Sequence, residues 1–355
     1  MKTRAKQTVI HAIVSALVIA IISVFCHTVQ AQETPSQEIS DPSARMKDEN
    51  ISHADNVRLT VQAEPLKSSI NSPYSELKPA LSPDGKRLYF SRFLHPDNTH
   101  EEDYEDIWYT EYDEQSAAWS DPVRLHGVLN NHGPNFINNV SVSGDTVILG
   151  NQYHRNGKMR AGLSFSVNEK GQWTQPQNIH IKHDYNMSDQ ANAFIALKNG
   201  VIISAIERAE TMGGRDLYVS FWNGHEATEP VNMGDVINTG LEESAPFLDA
   251  DNKTLYFASK GHNGYGGYDI FVTRRLDDTW TNWSEPENLG PAVNGEMDDE
   301  FFSITHCGNY AVFAKQVSVH NVDIFRISVE ELFTDGVARK RRPVDESKSS
   351  AFASL

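Results

Sequence analysis

Short apolar runs alternate with polar positions along most of this chain, and turn-forming residues cut the runs at regular intervals. "PALSPDGKRLYFS" (79–91) and "PFLDADNKTLYFAS" (246–259) each read as a strand, an Asp-Gly or Asp-Asn turn and a second strand. Downstream of each lies an apolar strand opened by aspartate, "EDIWYT" (105–110) and "YDIFVT" (268–273). Then follow "WSDPVRL" (119–125) and "WSEPENL" (283–289). Weaker copies fill the gaps at 140–179, 193–234 and 301–327. The third-strand aspartates fall at 106, 216, 269 and 323, with Gly162 in the second copy, a spacing of 53 to 56 residues. Helical periodicity is confined to "SVEELF" (328–333).

A repeat of this length that carries four strands predicts an all-β, five-bladed β-propeller of four-stranded antiparallel blades. The last copy lacks its fourth strand, and the first is preceded by an orphan, "VRLTVQAEPLKSSIN" (57–71). That orphan shares Glu-Pro, a Leu and a terminal Asn with "WSEPENLGPAVN" (283–294). The N-terminal strand is therefore expected to complete the last blade and leave no wide sheet edge open.

The glycines of "GHNGYGGYDIFVTRR" (261–275) belong to a loop between two strands. A phosphate cradle needs a helix N-terminus after it, and this loop is followed by a β-branched and aromatic run. Gly266 and Gly267 are expected to permit a tight turn, with Asp269 accepting backbone N–H bonds in it.

Lys2, Arg4 and Lys6 precede an apolar stretch from Val9 to Phe25, with Val29 and Ala31 as small residues before a cleavage point. This is the pattern of a secretory signal, residues 1–31, cleaved after Ala31, leaving no transmembrane span. Lipidation at Cys26 is disfavoured by the bulk of Phe25. Residues 32–56 read as a disordered lead-in, 57–332 as the propeller and 333–355 as a disordered basic tail. Loss of the signal, with three basic and no acidic residues, takes the net charge from −17 to −20. That charge speaks against nucleic acid as a partner and allows cations, basic peptides or neutral glycans. Cys307 alone remains, so the mature chain has no internal disulfide.

"LSPDGKRLYFS" with "DIWYT" resembles the WD40-like periplasmic repeat PD40 of TolB-type propellers. The stretch from "FASKGHNGYGGYDIFVTRR" to "WSEPENLG" is similar to the propeller segment of OmpA-like envelope proteins, including a component linked to type IX secretion. The resemblance covers about residues 57–330. It implies an exported, non-enzymatic propeller, periplasmic or secreted, that binds an envelope protein or glycan as a scaffold and is monomeric alone. The C-terminal peptidoglycan-binding domain and the tetratricopeptide helices that such proteins often carry are not among these 355 residues, so peptidoglycan anchoring is not expected to carry over.

One slot recurs three residues before the first hairpin: Glu76, Asn135, Asp189, Glu243 and Asp299. These should ring one mouth of the channel. They serve either as an acidic funnel for a cation, a basic peptide or sugar hydroxyls, or as caps for backbone N–H groups at the strand starts. If they were catalytic, Glu76 and Glu243 would be the paired carboxyls of a glycosidase, with Asp189 in support. Catalytic residues usually break a repeat, however, and these obey it. His262, Tyr265 and Tyr268, with Trp280 beyond them, have no partners in the other copies and are candidate ligand contacts. Trp119, Trp173 and Trp283 recur and read as packing between blades. The loop holding His95, His100 and Glu101–Asp103 reads as solvated, and His180 and His183 as part of a connection. No metal site, cofactor motif or nucleophile motif stands out.

Overall fold

The computed structural model describes residues 62–99, 105–155, 157–188, 190–305 and 308–334. Outside these lie the proposed signal with Cys26 and Ala31, the lead-in, most of the basic tail, His100 to Asp103, Asp189 and Cys307. The described residues form five antiparallel-based sheets, one per repeat, so the chain is an all-β five-bladed propeller. The inner strands are Ser75–Leu81, Ile137–Val140, Asn192–Ala196, Glu243–Leu248 and Asp299–Ile304. We call the end where they begin the upper mouth, and the end where their hairpins turn the lower mouth.

Closure follows the expected route. Glu64–Pro65 pairs antiparallel with the third strand of blade 5, Glu64 against Arg326 and Pro65 against Phe325. The fourth strands are short and begin just after the repeated proline, as Val123–Arg124, Val231–Asn232 and Glu287–Asn288. Proline has no N–H to give a ladder, so pairing starts one residue later.

Asparagine continues the pairing where the short strand stops. Asn130, Asn238 and Asn294 each accept from and donate to one third-strand residue, Ile107, Leu217 and Ile270 respectively, at 2.7–3.0 Å. The amide supplies one donor and one acceptor, as a backbone peptide would.

Each blade interface has its own apolar core. Leu66, Ile70, Phe90, Trp108 and Val312 seal blade 5 against blade 1. Leu217, Val219, Phe257, Phe271 and Trp283 seal blade 3 against blade 4. Trp119 and Trp283 are buried in these cores and Trp173 packs on another, as repeat aromatics should. Trp280, a candidate ligand contact, is also buried there, under the Arg275 guanidinium at 4.4 Å.

Four inner strands carry a bulge that inserts one residue. In three of them a residue sits in the left-handed region: Lys78 (φ 53°), Ala245 (φ 47°) and Phe301 (φ 58°). Blade 3 pairs without a bulge, Asn192 opposite Ala205 where blade 4 has Ser244 opposite Ala258.

The loop at 261–268 is shaped by close approach. A Cβ on Gly266 would lie 2.3 Å from the carbonyl of Glu296, and one on Gly267 would lie 2.1 Å from the Asp298 carboxylate. Neither glycine has positive φ, so contact and not turn geometry excludes a side chain. Asp269 does accept the Tyr265 N–H.

Candidate functional site: the two ends of the axis

The acidic ring is built into the blades. Glu76 is 0% exposed and accepts from Ser72 N at 3.0 Å, Ser72 Oγ at 2.6 Å and Arg92 Nε at 3.0 Å. Glu243 accepts from Thr239 N (2.9 Å), Thr239 Oγ1 (2.8 Å) and Ser259 Oγ (2.7 Å). Asn135 accepts from Asn131 N at 2.8 Å, and Asp299 from Gly295 N at 2.6 Å and Lys315 Nζ at 2.8 Å. Each of these four reaches four residues back along its own chain, so the shared slot closes the loop that enters its blade. Burial pushes the Glu76 carboxyl up to about 7 and that of Asp299 up to about 6, and raises Glu243.

The fifth member shifts. Asn192 takes the position of Ser244 in the ladder, so the ring slot in blade 3 falls on Ala191. Asp189, expected there, lies outside the described residues, two positions earlier. The missing bulge shortens this strand by one residue, which accounts for one of those two positions and which counting along the sequence could not register.

Subtracting what repeats leaves a second constellation at the upper mouth. The slot after the ring holds Leu77, Phe136, Ser244 and Glu300, with Asn192 in blade 3. The slot before the third-strand aspartate holds Glu105, Arg215, Tyr268 and Val322. The polar residues of these two slots meet. Asn192 donates to Ser244 Oγ at 2.9 Å. Ser244 bonds the Glu300 carboxyl, which also feels the charges of Arg215 and Lys78. Arg215 Nη2 donates to Tyr268 Oη at 2.7 Å, Tyr268 Oη donates to Glu242 at 2.8 Å, and Lys260 pairs with Glu242 at 2.9 Å. On the far side Lys78 pairs with Glu105 at 2.5 Å and lies 4.0 Å over the Phe136 ring. The Arg215 side chain is 4% exposed, and its Nη1 has no hydrogen-bond partner among the described residues.

Two carboxyls here are driven apart. Burial raises Glu300 and outweighs Ser244 and the two cations. Burial also opposes ionisation of Glu242, but the bonds from Lys260 and Tyr268 and the charges of Lys260 and Arg215 bring it below the usual range. One end of the axis therefore holds two carboxyls in the field of one arginine whose environments push their pKa values in opposite directions, Glu300 up and Glu242 down. Sequence analysis missed Lys78, Glu105, Arg215, Glu242 and Glu300. Their signal is a change of chemistry beside a constant slot, legible once the blades are in register.

Of the expected loop contacts, Tyr268 belongs to this network. His262 is held on the Ile237 carbonyl at 2.9 Å and packs on Phe257 and Phe271. Tyr265, 52% exposed, is free to meet a partner. His95 is packed between Tyr74 and Trp108, while His180 and His183 pair with Glu226 and Glu229. Among the described residues no group of histidine, cysteine and acidic side chains could hold a metal ion.

The lower mouth is an open funnel of about 550 Å³ walled by the inner hairpins of all five blades. Asp249 is the one carboxylate among its lining residues. Above it, at the waist of the channel, lies a cavity of about 30 Å³ that shares Asn138, Phe194, Phe247 and Ser303 with the funnel.

No protein-family model matches the sequence, and neither does any curated protein. Several solved structures share the fold. TolB from Acinetobacter baumannii is 13% identical with a TM-score of 0.43, over 75% of this chain and 55% of TolB, so the chain spans about half of that protein. An α-L-arabinofuranosidase from Podospora anserina in complex with cellotriose is 12% identical at TM-score 0.49, over 76% of this chain and 96% of the enzyme. An endo-arabinase from Bacteroides thetaiotaomicron is 15% identical at TM-score 0.49, over 75% and 97%. TolB is thus among the similar structures, and no family model matches the PD40 or OmpA-like resemblance. The expectation of a non-enzymatic chain is corrected by these neighbours, most of which are glycoside hydrolases. Likenesses this distant assign this chain no substrate.

Proposed function

We propose that the chain acts on carbohydrate at its upper mouth, with Glu300 as the proton-bearing carboxyl and Glu242 as the ionised one. The observation that carries this reading is Glu300 itself. It stands in a slot filled by Leu77, Phe136 and Ser244 in other blades, and it is held by Ser244 and the charges of Arg215 and Lys78 from three of them. A carboxyl that breaks the repeat and keeps its proton can protonate a leaving glycosidic oxygen. An ionised carboxylate in the field of the same arginine can activate water or attack the sugar. Arg215, bonded to Tyr268 and 3.9 Å from Glu242, orients that second carboxylate.

Aryl glycosides and plant and bacterial oligosaccharides, offered to the full chain, test the proposal. Turnover of at least one is expected, falling about a hundredfold or more in Glu300→Gln and in Glu242→Gln. No turnover across the panel, or turnover indifferent to both variants, would overturn it.

A protein partner seated on the same mouth is the second reading. Met212 with Leu241, and Tyr265 with Met297, are exposed side chains on loops that touch in pairs around it. Export fits both readings, and Gln32 at the mature N-terminus is the expected result of mass spectrometry on protein from the producing cell. An intact Met1 would refute cleavage after Ala31.

A further inference from the structure

The funnel at the lower mouth has the parts of a second binding site, separate from the acid-bearing end. Its walls are apolar on the axis side, with Leu81, Val140, Phe194, Phe247 and Ile304 contributed by five different blades. Phe194 and Phe247 meet edge to face, ring centroids 5.3 Å apart, and so give the funnel a stiff aromatic side. At the narrow end, where funnel and waist share their lining, two buried polar atoms lack hydrogen-bond partners among the described residues: Asn138 Nδ2 and Ser303 Oγ. Asn138 does use its other amide atom, Oδ1, in accepting from Ala193 N at 3.4 Å. The amide is thereby fixed with its donor side unspent.

A buried donor left unmatched costs free energy, and a site that gathers two of them at the foot of an apolar funnel recovers that cost when a polar group arrives. The four residues that funnel and waist share carry no charge; Lys78, which lines the waist beyond them, is paired with Glu105 at 2.5 Å, and Lys198 and Asp249 belong to the hairpins further out. An ionised group entering so deep would be desolvated and would meet only a lysine already neutralised by Glu105.

We propose that the funnel binds a small neutral amphiphile, entering tip first, whose apolar body packs on Phe194 and Phe247. Its leading carbonyl or hydroxyl oxygen takes the Asn138 Nδ2–H and bonds the Ser303 hydroxyl. The volume, about 550 Å³, is that of a small-molecule pocket. Neither the ring acids nor the Glu300–Glu242 pair touches this ligand, so its binding does not depend on any activity at the upper mouth.

Three compounds of one shape test the assignment on the full chain, by ligand-observed NMR and calorimetry: benzamide, benzoate and toluene. Benzamide supplies an apolar body and a neutral acceptor, benzoate a charge, and toluene no tip. Saturable binding of benzamide is expected, with a dissociation constant of about a millimolar for so small a molecule. Benzoate and toluene should each bind about tenfold or more weakly, the factor one unmatched polar group or charge imposes. Asn138→Leu should erase the preference for benzamide over toluene, and Ser303→Ala, a smaller change, should reduce it with the thermal melt unchanged. Glu300→Gln should leave benzamide binding as it is. The proposal is overturned if benzamide does not saturate, or if Asn138→Leu and Ser303→Ala, both folded, bind all three compounds as the wild type does. In that case the two orphan atoms are partnered by water at the waist and serve the fold alone.

Discussion

Asn71 and Ile324, 253 residues apart, exchange hydrogen bonds in both directions. The Ile324 N–H donates to Asn71 Oδ1 at 2.9 Å, and Asn71 Nδ2 donates to the Ile324 carbonyl at 3.0 Å. The same clamp joins Asn130, Asn238 and Asn294 to residues 21 to 24 positions earlier in their own blades. At the seam, one repeat element thus does between the two ends of the domain what it elsewhere does locally. The ring closes because the segment before blade 1 ends in the same asparagine as the segment that ends blade 4.

Cutting that clamp should open the propeller at its seam. Asn71→Ala removes both bonds and leaves the Ile324 N–H unmatched, while its carbonyl keeps the Leu66 N–H, at a cost of about 1–3 kcal/mol. Deletion through residue 70 removes Leu66 and Ile70 from the core between blades 5 and 1 as well. Urea unfolding of the point variant should keep its slope with a lower midpoint, and the deletion should lose the cooperative transition. A deletion that unfolds like the full chain would show that the closure is dispensable.

The blades were legible in the sequence because the repeat states each strand several times. The closing strand was legible because Asn71 and Asn294 end matching segments. What escaped was register within a blade. The bulge that admits Lys78, Ala245 and Phe301 in the left-handed region leaves no residue signature, since a lysine, an alanine and a phenylalanine occupy it. Its absence from blade 3 accounts for one of the two positions by which the ring slot lies beyond Asp189, at Ala191. The upper-mouth network was hidden for a related reason: Arg215 and Glu300 come from different blades and different slots, and only the fold brings them into one field.

Glu243 offers a pH test of the ring. Its partners are neutral, the Thr239 N–H and the Thr239 and Ser259 hydroxyls, and burial raises its carboxyl above the ordinary value of 4.5. A carboxyl raised on folding adds stability that is complete below its unfolded pKa and is lost as pH rises through the folded one. Wild-type stability should therefore decline relative to Glu243→Gln as pH rises above about 4.5, in urea midpoints measured from pH 4 to 8. A difference that is constant with pH would mean that Glu243 is ionised at no cost.

Gly266 tests the packing of the loops at the upper mouth. Its hypothetical Cβ meets the Glu296 carbonyl carbon and oxygen, both at 2.3 Å, which are backbone atoms that cannot rotate aside. Gly266→Ala should cost about 1–3 kcal/mol by overpacking. Gly224 has φ +93° with nothing within 4 Å, so Gly224→Ala should cost only about 1 kcal/mol, from backbone strain. Equal losses would mean that the Gly266 loop gives way easily and is not held against its neighbour.

The two carboxyls of the upper mouth should impose opposite limbs on the pH profile of any turnover. Glu242 is held below the usual range by Lys260, Tyr268 and Arg215, and must be ionised to work, so activity rises as pH passes its lowered pKa. Glu300 is raised by burial and must carry its proton, so activity falls as pH passes its raised pKa. The result is a bell whose width is the separation of the two. Tyr268→Phe removes one donor to Glu242 and the partner of Arg215 Nη2, yet leaves the ring that lies under Lys260. The acidic limb should move to higher pH while the basic limb stays. Lys78→Met removes a positive charge acting on Glu300 and should move the basic limb upward, because the cation favours the ionised form. Both limbs moving together in either variant would show that the pair titrates as one unit, and a flat profile would show that neither carboxyl transfers a proton.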